Sequence, residues 1–152
     1  QTVLLRPLPA DSPALSDLLL LRSADALPDS LAAAVEGARG TDRVHRGEPL
    51  GIYWEVYGLA GDAPNLLTLS VRLVNRHRGW MRRLAERIGI VHTDEPIRLK
   101  WQEPTGGGSY LPRSLFIEIP SDLDPGTYDV EISAELIGHE PLVATRQIEV
   151  VE

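Results

Sequence analysis

The chain contains no cysteine. That excludes a disulfide framework, a thiol nucleophile and any metal site built on thiolates. Aromatic residues make up only 5% of the sequence. A core therefore has to be filled mainly by Leu, Val and Ile, and a sugar groove walled by many rings has little to draw on. No apolar run approaches the roughly 18 residues that a membrane-spanning helix needs. Basic charge is in the minority, with 15 Lys and Arg against 22 Asp and Glu and a net charge of −7. That balance argues against a general nucleic-acid binder, and no nucleic-acid partner is expected. Lysine is reduced to Lys100, the other cations being arginine, a bias that suggests a GC-rich bacterial genome. The chain opens with Gln1 and has no charged-then-apolar leader. It reads as a fragment of a longer protein, or as a mature chain after signal removal.

What is present is alternation. After Leu123-Asp124-Pro125-Gly126-Thr127, the residues Tyr128, Val130, Ile132, Ala134 and Leu136 share one parity; Asp129, Glu131, Ser133 and Glu135 share the other. A period of two marks a strand with one dry and one wet face, and Pro125-Gly126 supplies the turn before it. Leu67 to Leu73 and Ile97 to Trp101 repeat the pattern. Ile52 to Tyr57 is a strand by its β-branched and aromatic content, with Gly51 and Gly58 at its ends. The Gly- and Pro-containing stretch from Gly58 to Asn65 predicts an antiparallel hairpin between that strand and the next. Further strands are expected over Thr2–Arg6, Leu18–Leu21, Leu115–Ile119 and Leu142–Val151, the last with Ile148 and Val150 inward. Trp80, Leu84 and Ile88 are spaced as a helical stripe. A shorter helix capped by Asp29 or Ser30 is expected inside an otherwise irregular connection over 23–49. The expected architecture is an all-β, immunoglobulin-like antiparallel sandwich of about eight strands with one or two short helices, occupying 1–152 as one domain.

Two resemblances bear on this. Leu123-Asp124-Pro125-Gly126-Thr127-Tyr128 resembles the tyrosine corner of immunoglobulin-like and fibronectin type III-like sandwiches, which implies that the Tyr128 hydroxyl returns to the backbone across the corner. The segments Leu15–Leu20, Tyr53–Leu59 and Leu123–Tyr128 together are similar to the sandwich segments of bacterial proteins bearing a GWxTD domain. The pentapeptide itself is missing, since Gly79-Trp80 is followed by Met81-Arg82-Arg83. The likeness implies a non-catalytic, envelope-associated, periplasmic or otherwise extracytoplasmic module.

The candidate chemistry is sparse. Arg72, Arg76, Arg78, Arg82, Arg83 and Arg87 concentrate positive charge, whereas the region after residue 115 is acidic. This layout could steer an anionic partner; the plainer reading is a solvated helix face plus cross-strand pairs with Glu131 or Glu135. Tyr53 and Tyr57 share the parity opposite Ile52, Trp54 and Val56. They form, with Tyr110, either a stacking platform for a sugar or a peptide, or a surface packed under the 23–49 segment or against the 80–88 helix. Glu55 with Glu103 is the one carboxylate pair worth weighing for acid–base work. The histidines carry no ligand spacing, and the aspartates around Pro125-Gly126 are explained by turn chemistry, so no metal and no cofactor is expected. The expected role is a non-catalytic interaction or spacer module whose partner is another protein or another domain of the same chain. The alternative is a carbohydrate- or polyanion-binding module.

Overall fold

The computed structural model describes residues 12–22, 26–59, 66–76, 96–106 and 108–152. These residues form two packed β-sheets. In the first, β1 (Ala14–Leu15) and β2 (Leu19–Leu21) pair in succession along one edge of β4 (Pro49–Tyr57), and β7 (Tyr110–Glu118) pairs along the other. The second runs in the order β3 (Arg43–His45), β9 (Leu142–Val151), β8 (Gly126–Leu136), β5 (Leu66–Asn75), β6 (Ile97–Pro104). All pairings are antiparallel except β3 with β9, which is parallel. The molecule is an all-β sandwich, with one short helix, α1 (Leu31–Glu36), among the described residues.

The alternating residues fill its interior. Leu67, Leu69, Val71 and Leu73 of β5 and Val130, Ile132 and Ala134 of β8 are completely buried. They face Leu50, Ile52, Trp54 and Val56 of β4, which are also inaccessible. Trp101 of β6 meets Trp54 edge-on at 6.4 Å between ring centres. At the flank beside this pair, Arg113 Nε of β7 bonds Glu103 Oε1 of β6 at 2.6 Å and ties the two sheets together. The Tyr128 hydroxyl donates to the Asp124 carbonyl at 2.8 Å, so the first residues of β8 are held to the corner that precedes them.

The structure corrects four expectations. Residues 49–57 and 66–75 do not form a hairpin: β4 and β5 belong to different sheets, and their dry faces meet across the core. Hairpin pairing would have placed Trp54 and Leu69 side by side on one sheet, leaving the opposing layer unfilled. Gly51 lies inside β4 rather than at its end, paired with both Leu21 and Phe116. The 23–49 connection contains α1, an isolated bridge from Leu21 to Ala38, and β3, so it is more ordered than its composition suggests. Sheet pairing is not wholly antiparallel, because Arg43–His45 adds to β9 in parallel. The strand expected over Thr2–Arg6 and the helix expected over 80–88 lie outside the described residues. No helix among the described residues is long and apolar enough to cross a membrane.

Candidate functional site

Of the outcomes weighed for the outer face of β4, packing under the 23–49 segment holds for Tyr53. Tyr53 is 2% exposed and Glu55 6%. The cover comes from the segment that follows β2. Ser30 caps α1 by accepting from the Ala33 amide, and Gly37 closes it. Ala34, the only buried residue of the helix, packs with Leu21 against Tyr53. Its small side chain is what lets the helix lie close to the sheet. Ser114 Oγ donates to the Pro28 carbonyl at 2.7 Å, Arg22 Nη2 to the Glu36 carbonyl at 2.9 Å, and the Arg39 amide to the Leu20 carbonyl at 2.8 Å. A cleft of about 320 Å³ remains between this cover and the sheet, walled by Leu21, Leu27, Pro28 and Phe116.

Beneath the cover the side chains form one hydrogen-bonded set. Tyr53 donates to Glu55 Oε1 at 2.6 Å, and Tyr57 donates to Oε2. Ser16 Oγ accepts from the Glu55 amide at 2.9 Å, where the chain crosses from β1 to β2. Both carboxylate oxygens are thus held by phenols, which satisfies a charge that would otherwise be expensive to bury. The effect on the phenols is reciprocal. Burial, then the bond to Glu55, raises the Tyr53 pKa far above the ordinary tyrosine value. The bond to Glu55, then burial, pushes Tyr57 up to about 12. Toward the sheet end the set reaches solvent: Tyr110, opposite Tyr57 on β7, is 52% exposed, and the two rings stack with centres 6.3 Å apart.

This placement settles where the sequence candidates stand. Tyr53 is not a surface platform residue, because α1 and Leu21 cover it. Tyr57 is half-buried, and its ring shares a stack with exposed Tyr110. Glu55 and Glu103 do not converge. Glu55 points away from the sandwich interior, whereas Glu103 meets Arg113, whose register partner is core residue Trp54. Arg72 pairs with Glu131 directly across β5 and β8, and Arg76 reaches Asp129 at 3.5 Å and also bonds Gln147. Arg78, Arg82, Arg83 and Arg87 lie outside the described residues. The link from Tyr53 through Glu55 to Tyr57 went unread in the sequence, although shared parity on one strand was the signal for it.

Comparison with known proteins adds little. The chain matches no protein-family model and no curated protein. Among solved structures it is similar to a family 123 glycoside hydrolase from Clostridium perfringens, with 12% identity over 91% of this chain and 27% of that one, and a TM-score of 0.49. It is also similar to a superoxide reductase (neelaredoxin) from Ignicoccus hospitalis, with 13% identity over 74% and 77% of the two chains and a TM-score of 0.41. The alkylpurine DNA glycosylase AlkC of Pseudomonas fluorescens aligns over 92% of this chain and 30% of its own, with 11% identity and a TM-score of 0.45. Likeness at this level bears on neither activity nor ligand.

Proposed function

We propose that this chain is a non-catalytic interaction or spacer module, an immunoglobulin-like sandwich of an exported bacterial protein. The observation that carries the reading is Glu55. The carboxylate best placed for chemistry is buried, and both of its oxygens are engaged by Tyr53 and Tyr57 of its own strand, so neither is left directed at a substrate. Acid–base work would instead require an oxygen directed at a substrate. Strand pairing supports the immunoglobulin-like reading. β2–β4–β7 forms one sheet and β6–β5–β8–β9 the core of the other, an early strand runs parallel to the last, and Tyr128 closes a corner onto Asp124. The extracytoplasmic placement rests on the similarity of the 15–20, 53–59 and 123–128 segments to the GWxTD-associated sandwiches.

A second reading, a glycan-binding module, is favoured by one feature: Tyr110 offers an exposed ring backed by Tyr57. A glycan array probed with the wild-type chain and with Tyr110→Ala and Tyr57→Ala separates the two. Silence supports the spacer or interaction module, and a hit weakened by both substitutions supports the glycan reading. Hydrolytic turnover on a glycoside or ester panel, abolished by Glu55→Gln in a folded protein, would overturn the non-catalytic assignment.

A further inference from the structure

The four borders of the two sheets are not alike. On the first sheet one border is made of β1 and β2, two and three residues long, and the other of β7, where Pro112 brings no N–H. On the second sheet one border is β3, three residues long. The other is β6, eight residues with proline only at its end. Among the described residues β5 is the only strand paired with β6. Alternate N–H and C=O groups of β6 therefore point away from its neighbour, and such a row is the template a further strand needs.

The side chains of β6 specify which strand fits there. Register places Ile97, Leu99 and Trp101 on the inner face, opposite buried Leu73, Val71 and Leu69. Ile97 and Trp101 pack against the core, but Leu99 between them does not and is 45% exposed. The sandwich is thus open at Leu99. On the outer face Arg98 stands directly opposite Arg72, and Lys100 opposite Ser70. Arg72 and Lys100 meet carboxylates of β8, Glu131 and Glu135, on the far side of β5. Like charges opposite one another destabilise a strand pair, and a carboxylate on the outer side of Arg98 offsets that repulsion.

We infer that β6 accepts an extended segment of a partner protein as a further strand, with acidic residues beside Arg98 and Lys100 and an apolar residue beside Leu99. The alternation follows from the pleat, because residues opposite each other on paired strands share a face. The sheet already holds a strand of this kind. β8 lies against the other side of β5 with Asp129, Glu131 and Glu135 outward and Val130, Ile132 and Ala134 inward.

A second copy of the chain suits this border poorly. Its acidic strand β8 is already paired on both sides, and pairing β6 with β6 lines both sides of the seam with Arg98 and Lys100. In strand addition the backbone bonds supply affinity and the alternate side chains supply choice of partner. This inference rests on the reading of the chain as an interaction module and names the class of its partner.

Fluorescence polarisation of the intact chain with a labelled, end-capped peptide, Ser-Glu-Val-Glu-Val-Glu-Ser, tests it, and amide NMR shifts locate the contact. Lys100 and Leu99 are each about half exposed, so Lys100→Glu and Leu99→Thr leave folding essentially intact. Each should weaken binding by about five-fold or more, and raised salt should weaken it too. Lys100→Glu should in turn favour the same peptide with lysine in place of glutamate. Strand pairing along one border uses alternate N–H groups. N-methylation of one set of peptide residues, valines or glutamates, should therefore abolish binding while the other set tolerates it. The same residues arranged in blocks, glutamates then valines, should bind markedly less. No binding of the alternating peptide, equal binding of the block peptide, or indifference to both substitutions would each overturn the inference. So would shifts centred away from β6, or sedimentation showing a second copy paired at β6. Those outcomes leave the non-catalytic reading standing, since it falls only on turnover or a glycan hit.

Discussion

The Tyr53 hydroxyl lies 2.6 Å from Oε1 of Glu55, two positions along the same face of β4. With Tyr57 on the other oxygen, both oxygens of a buried carboxylate are engaged by phenols of its own strand. The arrangement makes a face that looks half-polar in sequence into a second, smaller core. Leu21, Ala34 and Tyr53 form that core.

The phenols give it a dependence on pH. Both have folded-state pKa values above the ordinary tyrosine value, that of Tyr57 at about 12. A group that holds its proton more tightly when folded stabilises the fold fully below its unfolded pKa, about 10 for tyrosine. That stabilisation fades as pH rises from there through the folded value. Urea midpoints should therefore hold steady up to about pH 9 and then fall. Tyr57→Phe should flatten part of the decline, and an unchanged slope in that variant would contradict the assignment.

Replacing the carboxylate separates its hydrogen bonds from its charge. Glu55→Gln keeps an acceptor for one phenol and should cost about 1 kcal/mol. Glu55→Leu strands the buried Tyr53 donor, leaves the half-buried Tyr57 donor to solvent, and should cost about 2–3 kcal/mol. Denaturant unfolding of the two variants side by side provides the measurement, and the reverse order would be incompatible with the geometry.

At the opposite sheet the informative change is Tyr128→Phe. The ring is buried and its hydroxyl holds the Asp124 carbonyl at 2.8 Å. Losing only the oxygen should lower stability by about 0.5–1.5 kcal/mol with no change in the core. Tyr128→Ala should cost about 3–5 kcal/mol. Thermal unfolding of both variants gives the ratio.

Gly51 is irreplaceable for a spatial reason. A Cβ there would stand 2.7 Å from Phe116 Cε1 and 2.8 Å from Leu21 Cβ. Gly51→Ala should destabilise by about 1–3 kcal/mol through overpacking. Adding Phe116→Leu should recover part of the loss but not all of it, since the Leu21 Cβ is fixed to the backbone of β2. A double-mutant cycle showing simple additivity would mean the strain is released elsewhere.

Period-two patterning was enough to assign the inward residues of β5 and β8 and the inward pair of β9, because each of those strands has one face against the core and side chains must alternate. Cross-strand partners for the arginines were expected at Glu131 or Glu135, and Arg72 takes Glu131. The chain alone could not say which sheet each strand would join. Trp54 and Leu69 carry identical signals whether they lie beside each other or opposite, and only packing two dry faces together distinguishes the cases. For the outer face of β4 the chain left two outcomes open, a ring platform in solvent or tyrosines packed beneath another segment, and α1 folding over Tyr53 selects the second. That choice is made by contacts between residues distant in sequence, where neither propensity nor periodicity has any reach.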